Sequence, residues 1–250
     1  MLTDPYFYAI AAFAVLLLGI GKSGFGAGLG SLAVPLMAIT VPVPQAAAIL
    51  MPVLLLMDIL GVAAFRREVD WRLLRFLLPC GLLGTAIGAW MFSTVNARQV
   101  AGLVGIFTLL FLAQRVLVAP FLKQAPIPPR WMGAILTTVS GFTSFVAHAG
   151  GPPVSSYLIP MRLKPIQFTA TLAFFFFAVN LSKWIPYAAL GLIDGRNMAT
   201  SLLLLPLAPV GVWLGLKLAK RISEVWFYRC LNIGMALTGL KLVWDGYLAQ

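Results

Sequence analysis

Charged residues, cysteine and histidine are all scarce in this sequence. Only 10% of the 250 residues are Asp, Glu, Lys or Arg, whereas 61% are hydrophobic and the mean hydropathy is +0.96. Soluble domains carry about 25% charged residues, so this composition excludes that class and indicates a polytopic membrane protein. Cys80 and Cys230 lie within apolar runs and His148 is the single histidine, so neither a disulfide framework nor a metal cluster is predicted. We expect no cofactor.

Acidic residues are the scarcer charged class, with 7 Asp and Glu against 18 Lys and Arg and a formal net charge of +11. The basic residues lie in short connections between apolar spans rather than in one basic patch. This distribution argues against a nucleic-acid partner and is typical of charges that orient a protein in the lipid bilayer. The first residues, Met1 to Pro5, lack the basic n-region of a signal peptide, so we expect the first apolar run to be retained.

Two breaks rich in glycine or proline interrupt the apolar spans. The first runs from Gly19 to Gly30 and contains Lys22, and the second, residues 141–153, ends in Gly150-Gly151-Pro152-Pro153. Repeated glycine disfavours a continuous helix, and proline fits the first turn of a helix but not its interior. Each break is therefore predicted to separate two helical arms. A charge and unpaired amides at membrane depth are tolerated only beside a cavity or a partner, so the breaks form a candidate binding site.

Three apolar spans of near-membrane length follow each break, and a proline-rich segment separates the two sets. The spans are 45–65, 71–91 and 100–118 in the first half and 168–190, 198–218 and 225–244 in the second. Matching positions are Pro44 and Pro165, Asp58 and Asn180, Asp70 and Asp194, Gly84 and Gly211, and Gly88 and Gly215. This order predicts an all-α membrane protein built from a first repeat (1–118), a linker (119–130) and a second repeat (131–250).

The basic residues indicate how each break crosses the membrane. If both breaks turn back, only Arg98, Arg196 and Lys241 lie on one face, and Lys22 and Lys183 remain inside the membrane. The other face then collects Arg66, Arg67, Arg72, Arg75, Arg115, Lys123, Arg130, Arg162, Lys164, Lys217, Lys220, Arg221 and Arg229. The positive-inside rule favours this arrangement. Each half is then a re-entrant helical hairpin plus three transmembrane helices, the repeats are inverted, and both termini lie on the periplasmic or outer side. Short full crossings stay an open alternative.

Hairpin tips that dip from opposite faces meet near the bilayer midplane, where helix N-termini favour an anion. The predicted substrate-binding residues are Lys22, Ser23, Gly24, Gly26 and Gly28 in the first half and His148, Gly150, Gly151, Val154, Ser155, Asn180 and Lys183 in the second. Asn180, Lys183 and Tyr187 share a helix face by their spacing. Asp58 and His148 are candidates to carry a coupling proton. The alternative for Asp58 and His148 is a structural role. The alternative for Lys22 and Lys183 is a side chain that extends to the lipid headgroups and does not contact the substrate.

The chain resembles the sulfite exporter TauE/SafE family over nearly its whole length. The resemblance rests on the glycine-rich residues 19–30 followed by Leu-Ala-Val-Pro-Leu at 32–36, on residues 150–154, on Asn180-Leu-Ser-Lys183 with Tyr187 and Gly191, and on Val69-Asp70-Trp71. It implies transport of small anions, notably sulfite, sulfoacetate and related organosulfur compounds, commonly outward across the bacterial inner membrane. It does not settle which anion moves.

These observations predict a secondary transporter that exports a small anion by alternating access at the two hairpin tips. A negative cell interior favours outward movement of an anion by about 2.3 kcal/mol per charge per 100 mV. Protons and a second copy of the chain are candidate partners. The alternatives are a passive anion channel and an intramembrane serine hydrolase, in which Ser23 of Gly21-Lys22-Ser23-Gly24 is the nucleophile and His148 the base. Because duplication suits symmetrical access better than hydrolysis, we expect that the protein is not an enzyme.

Overall fold

A computed structural model describes residues 4–22, 30–218 and 224–248, and these residues contain helices but no strand. The first-half helices are α1 (Pro5–Lys22), α2 (Ala33–Met37), α3 (Val43–Phe65), α4 (Trp71–Thr94), α5 (Ala97–Ala113) and α6 (Ala119–Leu122). The second-half helices are α7 (Arg130–Ala147), α8 (Gly151–Leu158), α9 (Pro165–Ser182), α10 (Trp184–Ala189), α11 (Gly195–Leu204), α12 (Leu207–Leu218) and α13 (Glu224–Val243). Gln114–Val118 form a π-helical turn between α5 and α6.

Among the described residues, 5 helical segments are long and apolar enough to cross a membrane, and the bent pair α11–α12 raises this to 6. The bend between α11 and α12 is 41°. The prediction of an all-α polytopic membrane protein is therefore confirmed.

Matched residues also begin matched helices: the Asp70 carboxylate accepts a hydrogen bond from the Leu73 amide at 2.9 Å, and the Asp194 carboxylate accepts one from the Asn197 amide at 2.6 Å. These side-chain caps satisfy amides that have no partner within the helix.

The second break is narrower than the sequence indicated. Gly141 does not interrupt α7, because it lies inside the helix where a side chain would overlap the Gly81 carbonyl of α4. The helix continues to Ala147 and ends at His148, which has a left-handed backbone with φ 52°. The following helix, α8, begins at Gly151 with prolines in its first turn. Only three residues therefore separate the two arms.

The two arms α7 and α8 run in opposite directions. Ser140 Oγ donates a hydrogen bond to the Gly150 carbonyl at 2.6 Å, and Gly133, near the start of α7, lies against the ring of Tyr157, near the end of α8. Arg130 and Leu163, which flank the whole broken element, line the same cavity. The second broken element thus begins and ends at one end of the bundle, as a hairpin does.

The first broken element is described in part. In its second arm a 3₁₀ turn over Gly30–Leu32 leads into α2, which ends at Met37. The short arm α2 packs against α1. Residues 23–29, which contain the predicted tip, lie outside the described part of the chain.

The packing of the two halves follows one scheme. The helix α4 packs against α7 as α12 packs against α1, α3 packs against α9, and α5 packs against α13. Exchanging the halves turns the α4–α7 pair into the α12–α1 pair and returns the α3–α9 and α5–α13 pairs to themselves, as a two-fold relation between repeats would. The inverted orientation of the repeats and the domain boundaries stay predictions.

Matched glycines permit the matched helix crossings. A side chain at Gly84 would overlap the Thr138 carbonyl of α7, and one at Gly19 of α1 would lie 2.7 Å from the backbone of Gly211 in α12. Small residues allow helix backbones in a membrane to approach this closely. These two crossings hold α7 and α1, the first arms of the two broken elements, against α4 and α12.

Candidate functional site

The centre of the site is a contact between the two matched polar positions of α3 and α9. Asn180 Nδ2 donates to Asp58 Oδ2 at 2.5 Å, and both residues are buried, with 2% of Asp58 and 3% of Asn180 exposed. The helix α3 belongs to the first half of the chain and α9 to the second, and the two helices pack against each other. The Asp58–Asn180 contact therefore lies where the two halves meet.

Lys22 is the last residue of α1 and supplies the positive partner of Asp58. Its ammonium forms an ion pair with Asp58 Oδ1, and its side chain keeps 28% of its surface exposed. A buried carboxylate is costly unless it is paired and hydrogen-bonded, and here each oxygen has a donor. The structure thus pairs Asp58 with Lys22 and not with Lys183.

Lys183, at the end of α9, has no exposed surface. Its ammonium lies 2.6 Å from the Ser144 carbonyl, 2.8 Å from Ser144 Oγ, 2.7 Å from Asn180 Oδ1 and 3.2 Å from His148 Nδ1. An ammonium has three protons, so these acceptors use its whole hydrogen-bonding capacity. Lys183 therefore does not reach the headgroups, and it fastens the end of α7 to α9.

His148 connects three helices through both ring nitrogens. Its Nε2 lies 2.8 Å from the Ala47 carbonyl of α3, and a carbonyl can only accept, so Nε2 carries a proton. This assignment leaves Nδ1 as the acceptor for Lys183. Since neither nitrogen is free in this arrangement, His148 is not placed to act as a general base. Ser23, the nucleophile of the hydrolase alternative, lies outside the described residues.

The start of α8 lies directly beside this network. Gly150 is packed against Ser144, so closely that a side chain at Gly150 would come 2.8 Å from Ser144 Cβ. Gly151 and Val154 are buried, and Val154 packs in an apolar cluster with Leu77 and Phe175. Ser155 is 7% exposed and its Oγ has no hydrogen-bond partner among the described residues. The predicted residues of α8 thus lie near the lysine site, without a direct bond to either lysine.

The structure therefore joins five of the predicted residues, Lys22, Asp58, His148, Asn180 and Lys183, in one hydrogen-bonded network. Four predicted residues of the first tip, Ser23, Gly24, Gly26 and Gly28, lie outside the described part of the chain. Sequence reasoning missed the backbone carbonyls of Ala47 and Ser144, because an acceptor that every residue carries leaves no mark in a sequence. The hydroxyl of Tyr187, a residue that the spacing had placed on one helix face with Asn180 and Lys183, donates to the Phe145 carbonyl at 2.8 Å.

The electrostatics of the network are unbalanced. It contains the ammoniums of Lys22 and Lys183 and one carboxylate, that of Asp58, while the other described partners of Lys183 are neutral. With both lysines protonated and Asp58 ionised, one positive charge has no counter-ion among the described residues. Within the same part of the chain no group of three His, Cys, Asp or Glu side chains could hold a metal ion.

Comparisons with known proteins match most of the chain. The family model described as sulfite exporter TauE/SafE matches residues 11–242. The chain is 26% identical over 179 residues to a Comamonas testosteroni protein named probable inner membrane transporter protein TsaS, which covers 70% of this chain and 73% of that protein. No solved structure matches the chain.

Proposed function

Because this chain belongs to the sulfite exporter TauE/SafE family, we propose that it is a secondary transporter of a small sulfur oxyanion or organosulfonate, such as sulfite or sulfoacetate. The bacterial inner membrane is its proposed location, in line with the name of its Comamonas relative. Export is the proposed direction, since a negative cell interior drives anions outward.

The uncompensated positive charge in the Lys22–Lys183 network carries this proposal. A buried charge without a counter-ion is expensive, and ionisable residues inside a membrane protein commonly mark a substrate pathway. A bound anion would supply the missing negative charge. Such a site would bind an anion more tightly than a neutral molecule of the same shape.

We assign different roles to the two lysines. Lys22 keeps part of its surface exposed and bonds to a carboxylate, which is itself an oxyanion, so Lys22 is the proposed substrate contact. All the donors of Lys183 are engaged, so Lys183 is a positioning residue for the second hairpin tip. The amides of Gly150 and Gly151, the start of α8 up to Val154 and the Ser155 hydroxyl are proposed to complete the site on that side. Ser23, Gly24, Gly26 and Gly28 would do so from the first tip.

The contact of Asp58 with Asn180 suggests how the two tips move together. Lys22 bonds to Asp58, Asp58 to Asn180, and Asn180 to Lys183, so the end of α1 is connected to the end of α7 through one chain of hydrogen bonds. A substrate oxyanion that competes for Lys22 would disturb this chain at both tips. Alternating access around inverted repeats requires such a connection at the midplane.

Asp58 is the proposed proton carrier. With Asp58 ionised the network has one positive charge, which matches a monoanion, and with Asp58 protonated it has two, which match a dianion. Uptake of a proton by His148 at Nδ1 would instead require the loss of its bond to Lys183. We therefore favour Asp58 over His148 as the group that couples protons to the anion.

Binding of radiolabelled sulfite to the purified protein tests the proposed role of Lys22. Lys22→Ala should abolish saturable binding, because the substrate loses its cationic contact. Lys241→Ala is the matched control, since Lys241 also pairs with an aspartate, Asp245, but on the exposed surface. Equal binding by wild type and Lys22→Ala would remove Lys22 from the site. Loss of binding in both variants would point to general charge effects.

A further inference from the structure

A cavity of about 340 Å³ lies where α4 and α7 begin, and none of its lining residues belongs to the lysine network. Its lining contains two guanidiniums, one carboxylate and a mainly apolar floor. The lining residues are Asp70, Arg72, Leu73, Phe76, Arg130, Tyr157, Met161 and Leu163. A mixture of arginines and apolar side chains suits a ligand that is part anion and part hydrocarbon.

The two arginines of this cavity are available to an anion. Neither forms an ion pair with any residue that the structure describes, and the Arg130 guanidinium lies over the Phe76 ring, 5.2 Å from its centre. The Asp70 carboxylate caps α4 by accepting from the Leu73 amide. Two guanidiniums and one carboxylate leave one net positive charge. Guanidinium forms paired hydrogen bonds with phosphate, so a singly charged phosphate group fits this lining.

The surroundings place the cavity at headgroup level. Trp71 and Trp131, the neighbours in sequence of Arg72 and Arg130, are 54% and 67% exposed. Exposed tryptophans are typical of the membrane–water interface. The exposed apolar side chains of α4 include Leu83, Ile87 and Trp90. They lie 7, 11 and 14 residues after Phe76, so they share its face of the helix. The floor of the cavity therefore continues as an apolar stripe that faces the hydrocarbon.

We propose that this cavity binds an anionic phospholipid with one negative charge, of the phosphatidylglycerol type. The phosphate lies between Arg72 and Arg130, and an acyl chain follows the stripe of Leu83, Ile87 and Trp90 on α4. Basic pockets between transmembrane helices are known to suit anionic headgroups. Because the lipid rests against α4 and α7, it stabilises the crossing that holds the second hairpin. This site is separate from the proposed anion site at Lys22.

Native mass spectrometry of the detergent-purified protein tests the lipid site. The protein is equilibrated with equal amounts of phosphatidylglycerol and phosphatidylcholine of the same acyl chains, and the retained lipid is counted for each. A charge near the membrane surface contributes about 1 kcal/mol, so each arginine removed should lower the preference for phosphatidylglycerol roughly fivefold. Arg72→Gln and Arg130→Gln are made singly and together, and since both side chains are exposed each variant should fold.

Arg66→Gln with Arg67→Gln is the matched control, because it removes two exposed arginines just before α4 but outside the cavity. The wild type and this control should both retain phosphatidylglycerol preferentially. An equal loss in the control and the cavity variants would overturn the site in favour of diffuse surface attraction. Displacement of the lipid by millimolar inorganic phosphate would also overturn it, since the cavity would then bind free anions.

Discussion

Replacing Asp58 by asparagine tests the charge balance of the central network. The change keeps the size and shape of the side chain but removes the only carboxylate that the structure places against Lys22. It raises the net charge of the network from one positive to two. We expect two opposite effects: a less stable protein without anion and a tighter bond to the anion.

The size of both effects follows from the burial of the pair. Breaking a buried ion pair costs about 3–5 kcal/mol, and the 28% exposure of the Lys22 side chain favours the lower end. At roughly 2–4 °C per kcal/mol for a chain of this size, a loss of about 3 kcal/mol should lower the unfolding temperature by roughly 6–12 °C. An added charge about 6 Å from the anion, at an effective dielectric constant of about 20, contributes up to about 3 kcal/mol. This corresponds to binding up to about a hundredfold tighter.

Thermal unfolding followed by tryptophan fluorescence, over a titration with sulfite, measures both effects at once. Without sulfite, Asp58→Asn should unfold at a lower temperature than wild type. In the titration, its unfolding temperature should rise at lower sulfite concentrations than that of wild type. Asp245→Asn is the control, because the exposed Lys241–Asp245 pair is worth less than about 1 kcal/mol. An unchanged unfolding temperature, or a sulfite midpoint equal to that of wild type, would refute the charge argument.

Three further predictions concern packing, hydrogen bonding and orientation. Gly84→Ala should destabilise the protein by more than about 1–3 kcal/mol, the usual cost of overpacking, because the new methyl group overlaps the α7 backbone. Gly195→Ala is the control: its methyl group meets open space, so the unfolding temperature should not change. Tyr187→Phe should cost about 1–3 kcal/mol, because the buried Phe145 carbonyl loses its donor; an unchanged unfolding temperature would show that this bond contributes nothing. Arg67→Cys should react with a membrane-impermeant maleimide only in inverted vesicles and Arg98→Cys only in intact cells, and labelling of both from one side would contradict the predicted topology.

The sequence predicted much of the fold because its strongest signals are local. Proline and glycine marked the second break, although the length of the break was wrong, since a single Gly141 can be accommodated inside a helix that packs closely. Asp70 and Asp194, which the sequence matched between the two halves, both begin their helices as side-chain caps. Apolar length predicted the spans at Val43–Phe65, Trp71–Thr94, Ala97–Leu122 and Pro165–Ala189, but α1, which was predicted as an arm of a hairpin, is also long and apolar enough to cross a membrane.

The details of the site required the structure. Alignment of the two repeats matched Asp58 with Asn180, and the structure brings these residues into contact. The choice of Lys22 as the ion partner of Asp58 depends on how α1 and α3 are rotated about their helix axes. The bonds of His148 and Lys183 to the carbonyls of Ala47 and Ser144 depend on the left-handed backbone at His148. A non-glycine residue in that conformation cannot be read from composition, because it is held by its surroundings.

Substrate-induced current in proteoliposomes measures transport of the anion itself. We expect a saturable current when one sulfur oxyanion or organosulfonate is applied, present in Lys241→Ala and lost in Lys22→Ala. Accelerated exchange of labelled anion across the same membranes would distinguish a transporter from a passive channel. No current and no exchange with sulfite, sulfoacetate, thiosulfate or taurine, in vesicles that contain folded protein, would contradict transport of this class of anion.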